Sequence, residues 1–184
     1  MEKNQILLSE PEIAGITRTL ARQIAAAFAG RPLQLLGLLR GCQPFMADLS
    51  RELYRLNVPL TMHYVQARSY VGCRPGDVVT LAGEELLRDL RPKAPVLVLD
   101  DVFDTGATIR QVASWLAARG FGEVKVCVLL QKKGREDRSG LVDFCGAVIP
   151  DVFVVGYGLD YNQQYRELPF IMSLPPGGAG EYGT

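Results

Sequence analysis

Three short apolar runs, at residues 33–39, 95–99 and 124–130, constrain most strongly what this chain can fold into. Each is too brief for a helix and too continuous for a strand that shows one face to water. Strands of that kind are covered on both faces, as in parallel sheets flanked by helices. The sequence between them supplies the helices. Ile13, Ile16, Leu20, Ile24 and Phe28 recur at helical spacing behind a capping box of Ser9 and Glu12, until Gly30 and Pro32 end the pattern. Phe45, Leu49, Leu53 and Leu56 repeat the spacing, and residues 107–118 predict a third helix that stops near Gly120. Alternating strands and helices predict right-handed crossovers and a doubly wound, mostly parallel α/β sheet.

The remaining segments read less regularly. Residues 60 to about 70 look extended, and residues 71–77 hold Gly72, Pro75 and Gly76, which predicts a mobile hairpin or loop before Thr80 and Leu81 resume. A short helix is expected at residues 84–89 and a further strand of the set at residues 152–155. Residues 174–184 are rich in Gly and Pro and predict a flexible tail. Gly178, Gly180 and Gly183 in that tail match G-x-G-x-x-G, but no strand precedes them and no helix follows, so the dinucleotide reading lacks its context.

Composition removes several function classes. A chain of 184 residues that is 48% apolar suits one domain with a substantial core. Its 20 basic and 20 acidic side chains cancel, so no overall field would hold nucleic acid or anionic lipid, and neither partner is expected. No apolar stretch approaches the roughly 20 residues of a spanning helix, and the polar start is unlike a secretory signal, so a cytoplasmic protein is expected. Cys42, Cys73, Cys127 and Cys145 form no C-x-x-C pair, and His63 is the one histidine, set in an apolar stretch that reads as a half-buried strand. Zinc fingers, multi-histidine sites, disulfide scaffolds and histidine-based hydrolases fall away. Chemistry is left to carboxylates, lysines, arginines, backbone amides and an oxygen-ligated divalent ion.

Ligands of an open parallel sheet bind beyond the carboxyl ends of its strands. The sharpest such end delivers Asp100 and Asp101 from a buried strand, then Asp104, Thr105, Gly106, Ala107 and Thr108 into a helix. Amides and two hydroxyls at the positive end of a helix dipole suit a phosphate. Three carboxylates beside it suit hydroxyls, a metal or a proton, and a sugar phosphate meets all of these demands together.

Residues 98–108 resemble the phosphoribosyl pyrophosphate signature of the type I phosphoribosyltransferases. Residues 124–133, residues 150–162 and the run Tyr165-Arg166-Glu167-Leu168 are similar to the purine-binding and C-terminal segments of the hypoxanthine-guanine branch, and the likeness runs in order from about residue 33 to 168. The resemblance implies one domain over residues 1–173, with a core at about 33–160 and a small hood built from the N-terminal region and residues 160–173. It implies transfer of a 5-phosphoribosyl group from phosphoribosyl pyrophosphate to N9 of a 6-oxopurine in purine salvage, with Mg2+ as cofactor and a homodimer or homotetramer as the assembly.

The resemblance also implies a role for each matching residue. Asp100 and Asp101 would hold the ribose hydroxyls, and Asp104 would be the catalytic acid or base near purine N7. Asp104, Thr105, Gly106, Ala107 and Thr108 would bind the 5-phosphate, Arg40, Gly41 and Arg166 the pyrophosphate, and Ser69-Tyr70 would begin a mobile loop closing over the reacting centre. Lys132, which has only donors, would select the O6 acceptor of hypoxanthine, guanine or xanthine over the 6-amino group of adenine. Phe153 would stack on the base, and the backbone around Val154 and Asp160 would read its 2-position edge. Asp160, with Asp100 and Asp101, would ligate the metal. Arg40 stands where many members of the branch have Lys, Asp100 where many have Glu, and Ala107 replaces a larger residue. RNA-binding attenuators share this signature, but Asp104 and the zero net charge disfavour that reading, and Lys132 with residues 153–160 disfavours adenine, uracil and orotate transferases.

Overall fold

The structure, a computed structural model, describes residues 5–68, 80–82, 88–134 and 140–175. In chain order the elements are β1 (Gln5–Leu8), α1 (Glu10–Phe28), β2 (Leu33–Leu39), α2 (Gln43–Arg55), β3 (Leu60–Arg68), β4 (Thr80–Ala82), β5 (Val96–Phe103), α3 (Ala107–Ala117), β6 (Val124–Lys132), β7 (Phe144–Ile149), β8 (Phe153–Val155) and β9 (Ile171–Leu174). Strands order as β4-β3-β2-β5-β6-β7 in the main sheet, where β3, β2, β5, β6 and β7 are parallel and β4 is an antiparallel edge.

The continuous apolar runs are buried on both faces, as expected. Leu35, Leu97, Leu99, Cys127 and Leu129 point to one side and pack with Ile13, Leu20, Ile24 and Phe28 of α1 and Phe45, Leu49 and Leu53 of α2. Their neighbours Leu36, Leu38, Val96, Val98, Val126 and Val128 point to the other side, onto Ile109, Val112 and Leu116 of α3. The period of two along each strand thus meets the helical period on both sides, which is what fixes register in a doubly wound sheet. The Ser9–Glu12 capping box is present at the start of α1, where the Ser9 N–H donates to Glu12 Oε2 at 2.8 Å.

Two expectations need correction. The run at residues 152–155 does not complete the parallel set. It forms β8, which pairs antiparallel with β9, and β9 in turn with β1, in a separate three-stranded sheet. The parallel edge is instead β7, whose Gly146 and Ala147 weaken the apolar signal while allowing close contact, since a Cβ on Gly146 would lie 2.5 Å from the Leu129 carbonyl oxygen. Strand β9 also runs one residue into the segment expected as a tail, with Leu174 buried. The loop expected at residues 71–77, most of the helix expected at 84–89 and tail residues 176–184 lie outside the described residues, and Arg88 and Asp89 form a turn. Among the described residues no helix is long and apolar enough to cross a membrane.

Phe45 anchors the first turn of α2 against this core and is fully buried. Phe45→Ala is expected to cost about 3–5 kcal/mol, from lost transfer free energy and the cavity left behind, read as a lowered urea midpoint at unchanged slope.

Candidate active site

From β2 the chain turns outward to β3, and from β5 it turns the opposite way to β6 and β7. The loops leaving β2 and β5 therefore diverge and open a crevice between neighbouring strands. Pairing of Gly37 with Leu99 sets the Arg40-Gly41 turn beside Asp100 and Asp101. Pairing of Phe103, the last residue of β5, with Gln131 brings Asp104, just beyond the strand, level with Lys132 at the end of β6. His63 sits near the amino end of β3, in a cavity with Leu33 and Leu60, and takes no part in the crevice.

Close backbone contact builds the floor of this crevice. A Cβ on Gly41 would fall 1.4 Å from Asp101 Oδ2, and one on Gly158, whose φ is +95°, would fall 2.0 Å from the Gly41 carbonyl oxygen. Only glycine fits either position. The turn after β2 is thereby held between the acidic pair and the segment after β8, and its Leu39–Arg40 peptide bond is cis.

The acidic pair is costly to hold there. Burial, then the charge of its neighbour, pushes Asp100 well above the ordinary carboxylate range, and burial raises Asp101 as well. Main-chain donors offset part of that cost: the Asp101 N–H donates to Asp100 Oδ1 at 3.0 Å and the Val102 N–H to Asp101 Oδ1 at 2.7 Å. The Arg166 charge lowers Asp101 further. Two adjacent, partly buried carboxylates call for a cation or a pair of hydroxyl donors.

Cations line the facing wall. Arg166 donates from Nη1 to the Gly158 carbonyl at 2.6 Å and from Nη2 to Asp160 Oδ1 at 2.7 Å, and Asp160 Oδ2 accepts the Gln163 N–H at 2.9 Å. Arg40 donates from Nη1 to Gln163 Oε1 at 3.0 Å, and Arg166 Nη2 reaches the same oxygen at 3.2 Å. Both expected pyrophosphate arginines are thus brought to one place.

The segment from Asp104 to Thr108 wraps the amino end of α3, with Gly106 as its left-handed N-cap. The Ala107 N–H turns back to Thr105 Oγ1 at 3.4 Å, and the Arg110 guanidinium donates to the Thr105 carbonyl. A helix of eleven residues that starts under an exposed threonine is a ready anion site.

Of the expected purine residues, Asp160 stands on the arginine wall, and the other three lie on β6 and β8. Lys132 ends β6 largely buried, its Nζ 3.3 Å from Asp151 Oδ1. Phe153, at 51% exposure, is no core residue; its ring meets Tyr161 edge-on at 5.8 Å and leaves a face open. Val154 is buried in β8. Ser69 and Tyr70 lie outside the described residues. Among the described residues no three acidic, histidine or cysteine side chains cluster as a metal site; Asp100 and Asp101 are together, and Asp160 is tied to Arg166.

The description "Phosphoribosyl transferase domain" fits residues 3–162 of this chain. The chain belongs to that family. This phosphoribosyl transferase is 39% identical over 171 residues to the hypoxanthine phosphoribosyltransferase of Salmonella typhimurium, covering 91% of the chain and 93% of the relative. It is 32% identical over 175 residues to the hypoxanthine-guanine phosphoribosyltransferase of Staphylococcus aureus, covering 94% of each. A crystal structure of a hypoxanthine-guanine phosphoribosyltransferase from Bacillus anthracis superposes with a TM-score of 0.84 at 30% identity, over 93% of this chain and 98% of that one.

Three parts of the transferase's site escaped sequence reasoning. Gly158 was visible only as a glycine, and its approach to Gly41 has no local signature. Gln163 sits in a loop at positive φ that no motif marks. Tyr157, also at positive φ, donates its hydroxyl to Asp48 Oδ2 at 2.7 Å and so ties the Gly158 segment to α2. Burial and that carboxylate push the phenol far above its usual range, so it stays a donor. Tyr157→Phe is expected to lower stability by about 1.5–3 kcal/mol, as for a lost hydrogen bond to a charged group, read as a drop in Tm.

Proposed function

We propose that this phosphoribosyl transferase salvages 6-oxopurines, joining the 5-phosphoribosyl group of phosphoribosyl pyrophosphate to N9 of hypoxanthine or guanine and releasing pyrophosphate. The observation that carries this reading is the meeting, at one switch-point crevice, of an acidic pair, a helix-terminal anion cradle, two arginines and a lysine level with Asp104.

In this reading Asp100 and Asp101 accept hydrogen bonds from the ribose hydroxyls, and the loop of Asp104, Thr105, Gly106, Ala107 and Thr108 cradles the 5-phosphate. Arg40, Gly41 and Arg166 bind pyrophosphate. Lys132, desolvated and offered only as a donor, meets O6; Phe153 stacks on the base, and the backbone around Val154 and Asp160 reads its 2-position edge. The C1–oxygen bond to pyrophosphate breaks as the N9–C1 bond forms, and Asp104 takes the proton that the purine loses. Carboxylates beside C1 stabilise the positive charge that grows on the sugar. The sheet of β1, β9 and β8, which carries Phe153, serves as the hood over the base. Exposed Tyr54 and Leu56 offer apolar surface to a second copy of the chain.

The adjacent carboxylates Asp100 and Asp101 fit a magnesium ion as oxygen ligands, and Asp160, held apart from them by Arg166 and the Gln163 N–H, would complete the set. When bound, Mg2+ offsets the charge of pyrophosphate as it departs.

Steady-state assays with phosphoribosyl pyrophosphate and Mg2+ against hypoxanthine, guanine, xanthine, adenine and uracil test the reading. Turnover confined to 6-oxopurines is expected; turnover of adenine or uracil alone, or of no base, would overturn it. Asp104→Asn is expected to lower kcat by about 10²–10⁴, the range of general acid–base catalysis. Lys132→Ala should act chiefly on base KM, raising it about tenfold or more through the unpaired O6. Gly41→Ala, which drives a methyl into Asp101, should reduce kcat/KM by about 100-fold, the cost of an ångström-scale misplacement.

A further inference from the structure

Gln163 occupies a position that no role above explains. It is exposed, it lies at φ +68°, and its single amide oxygen accepts from Arg40 Nη1 at 3.0 Å and Arg166 Nη2 at 3.2 Å. Two guanidinium groups repel one another, and bringing them to one point needs an acceptor with two lone pairs. A carboxylate would satisfy both groups and would also cancel a charge. An amide satisfies both and cancels nothing. Arg166 already has a carboxylate partner in Asp160, whereas Arg40 has none among the described residues.

We propose that Gln163 is a positioning residue that gathers Arg40 and Arg166 on one neutral oxygen, so that both meet the pyrophosphate of the substrate with their charges uncompensated by this side chain. The proposal rests on the assignment of both arginines to pyrophosphate. An amide oxygen is a weaker acceptor for guanidinium than a phosphate oxygen, so an arriving diphosphate displaces it and takes charge-assisted, forked hydrogen bonds in its place. The same backbone holds Asp160 through the Gln163 N–H, so the loop sets the placement of the arginine wall without adding to its charge.

The test is a double-mutant cycle in which magnesium pyrophosphate binding is measured by titration calorimetry, with KM for phosphoribosyl pyrophosphate and for hypoxanthine measured beside it. Gln163→Glu nearly preserves shape and adds a charge; it should raise the pyrophosphate Kd about tenfold, roughly the factor 1.4 kcal/mol carries. Gln163→Ala should raise it by less, about threefold, because the arginines lose their post but keep their charge. Each should raise KM for phosphoribosyl pyrophosphate in step and leave KM for hypoxanthine within about twofold, a split that a merely structural role would not produce. In an Arg40→Ala background the effect of Gln163→Ala should shrink to less than half. Equal effects of Glu and Ala, additivity with Arg40→Ala, or a parallel rise in hypoxanthine KM would each overturn the proposal. Because calorimetry reads pyrophosphate directly, coupling without nucleotide formation would overturn the proposed activity and leave the role of Gln163 standing. Turnover without coupling would do the reverse.

Discussion

The contact on which the rest of the site depends is between backbones. Gly41 lies with Asp101 Oδ2 on one side and Gly158 on the other, and neither gap would admit a methyl group. Through that contact the end of β2, the acidic end of β5 and the loop after β8 become one rigid body. Arg166 reaches the Gly158 carbonyl only because Gly158 is there, and from Arg166 the hydrogen bonds run on to Asp160, Gln163 and Arg40. Rigidity has an electrostatic use. Asp100 and Asp101 are partly buried, and donors fixed along their own strand keep them oriented.

Charge is laid out by wall. The crevice has carboxylates on its floor, arginines on one side, and Lys132 beyond. Nothing in the net charge of the chain hints at this, since positive and negative side chains cancel in number. A ligand that is anionic at both ends and carries hydroxyls in its middle is complementary to such a layout, and a uniformly anionic polymer is not.

How much of this was legible beforehand follows from what each signal depends on. The sheet core was legible because burial on both faces leaves an unbroken apolar run, as in Leu33–Leu39, and the helices because one-sided burial leaves a period. The strand-end loops were legible because Asp100, Asp101 and Asp104 are polar residues that no core required. The sheet to which β8 belongs is not legible in the sequence, since Phe153–Val155 is apolar in either setting and only its antiparallel partner β9 decides. Strand β7 leaves a weak signal because Gly146 and Ala147 dilute its apolar pattern. Gln163 was illegible in a stronger sense. Its function is set by where two arginines 126 residues apart come together, since Arg40 and Arg166 meet at its amide oxygen, and no local pattern records a meeting of that kind.

The small sheet has a consequence for how the molecule comes into being. Its outer strand β1 pairs with β9, Gln5 opposite Ser173 and Ile6 opposite Met172, and β8 has β9 as its partner. On a ribosome that adds about 5–20 residues per second, β1 is made seconds before anything exists to receive it. The parallel sheet can close first, with its acidic floor and anion cradle formed. Strands β8 and β9 flank the segment that carries Asp160, Gln163 and Arg166, so that segment is pinned at both ends only after β9 has docked. Chain order alone thus puts the pinning of the segment that carries Arg166 after the synthesis of every strand of the parallel sheet.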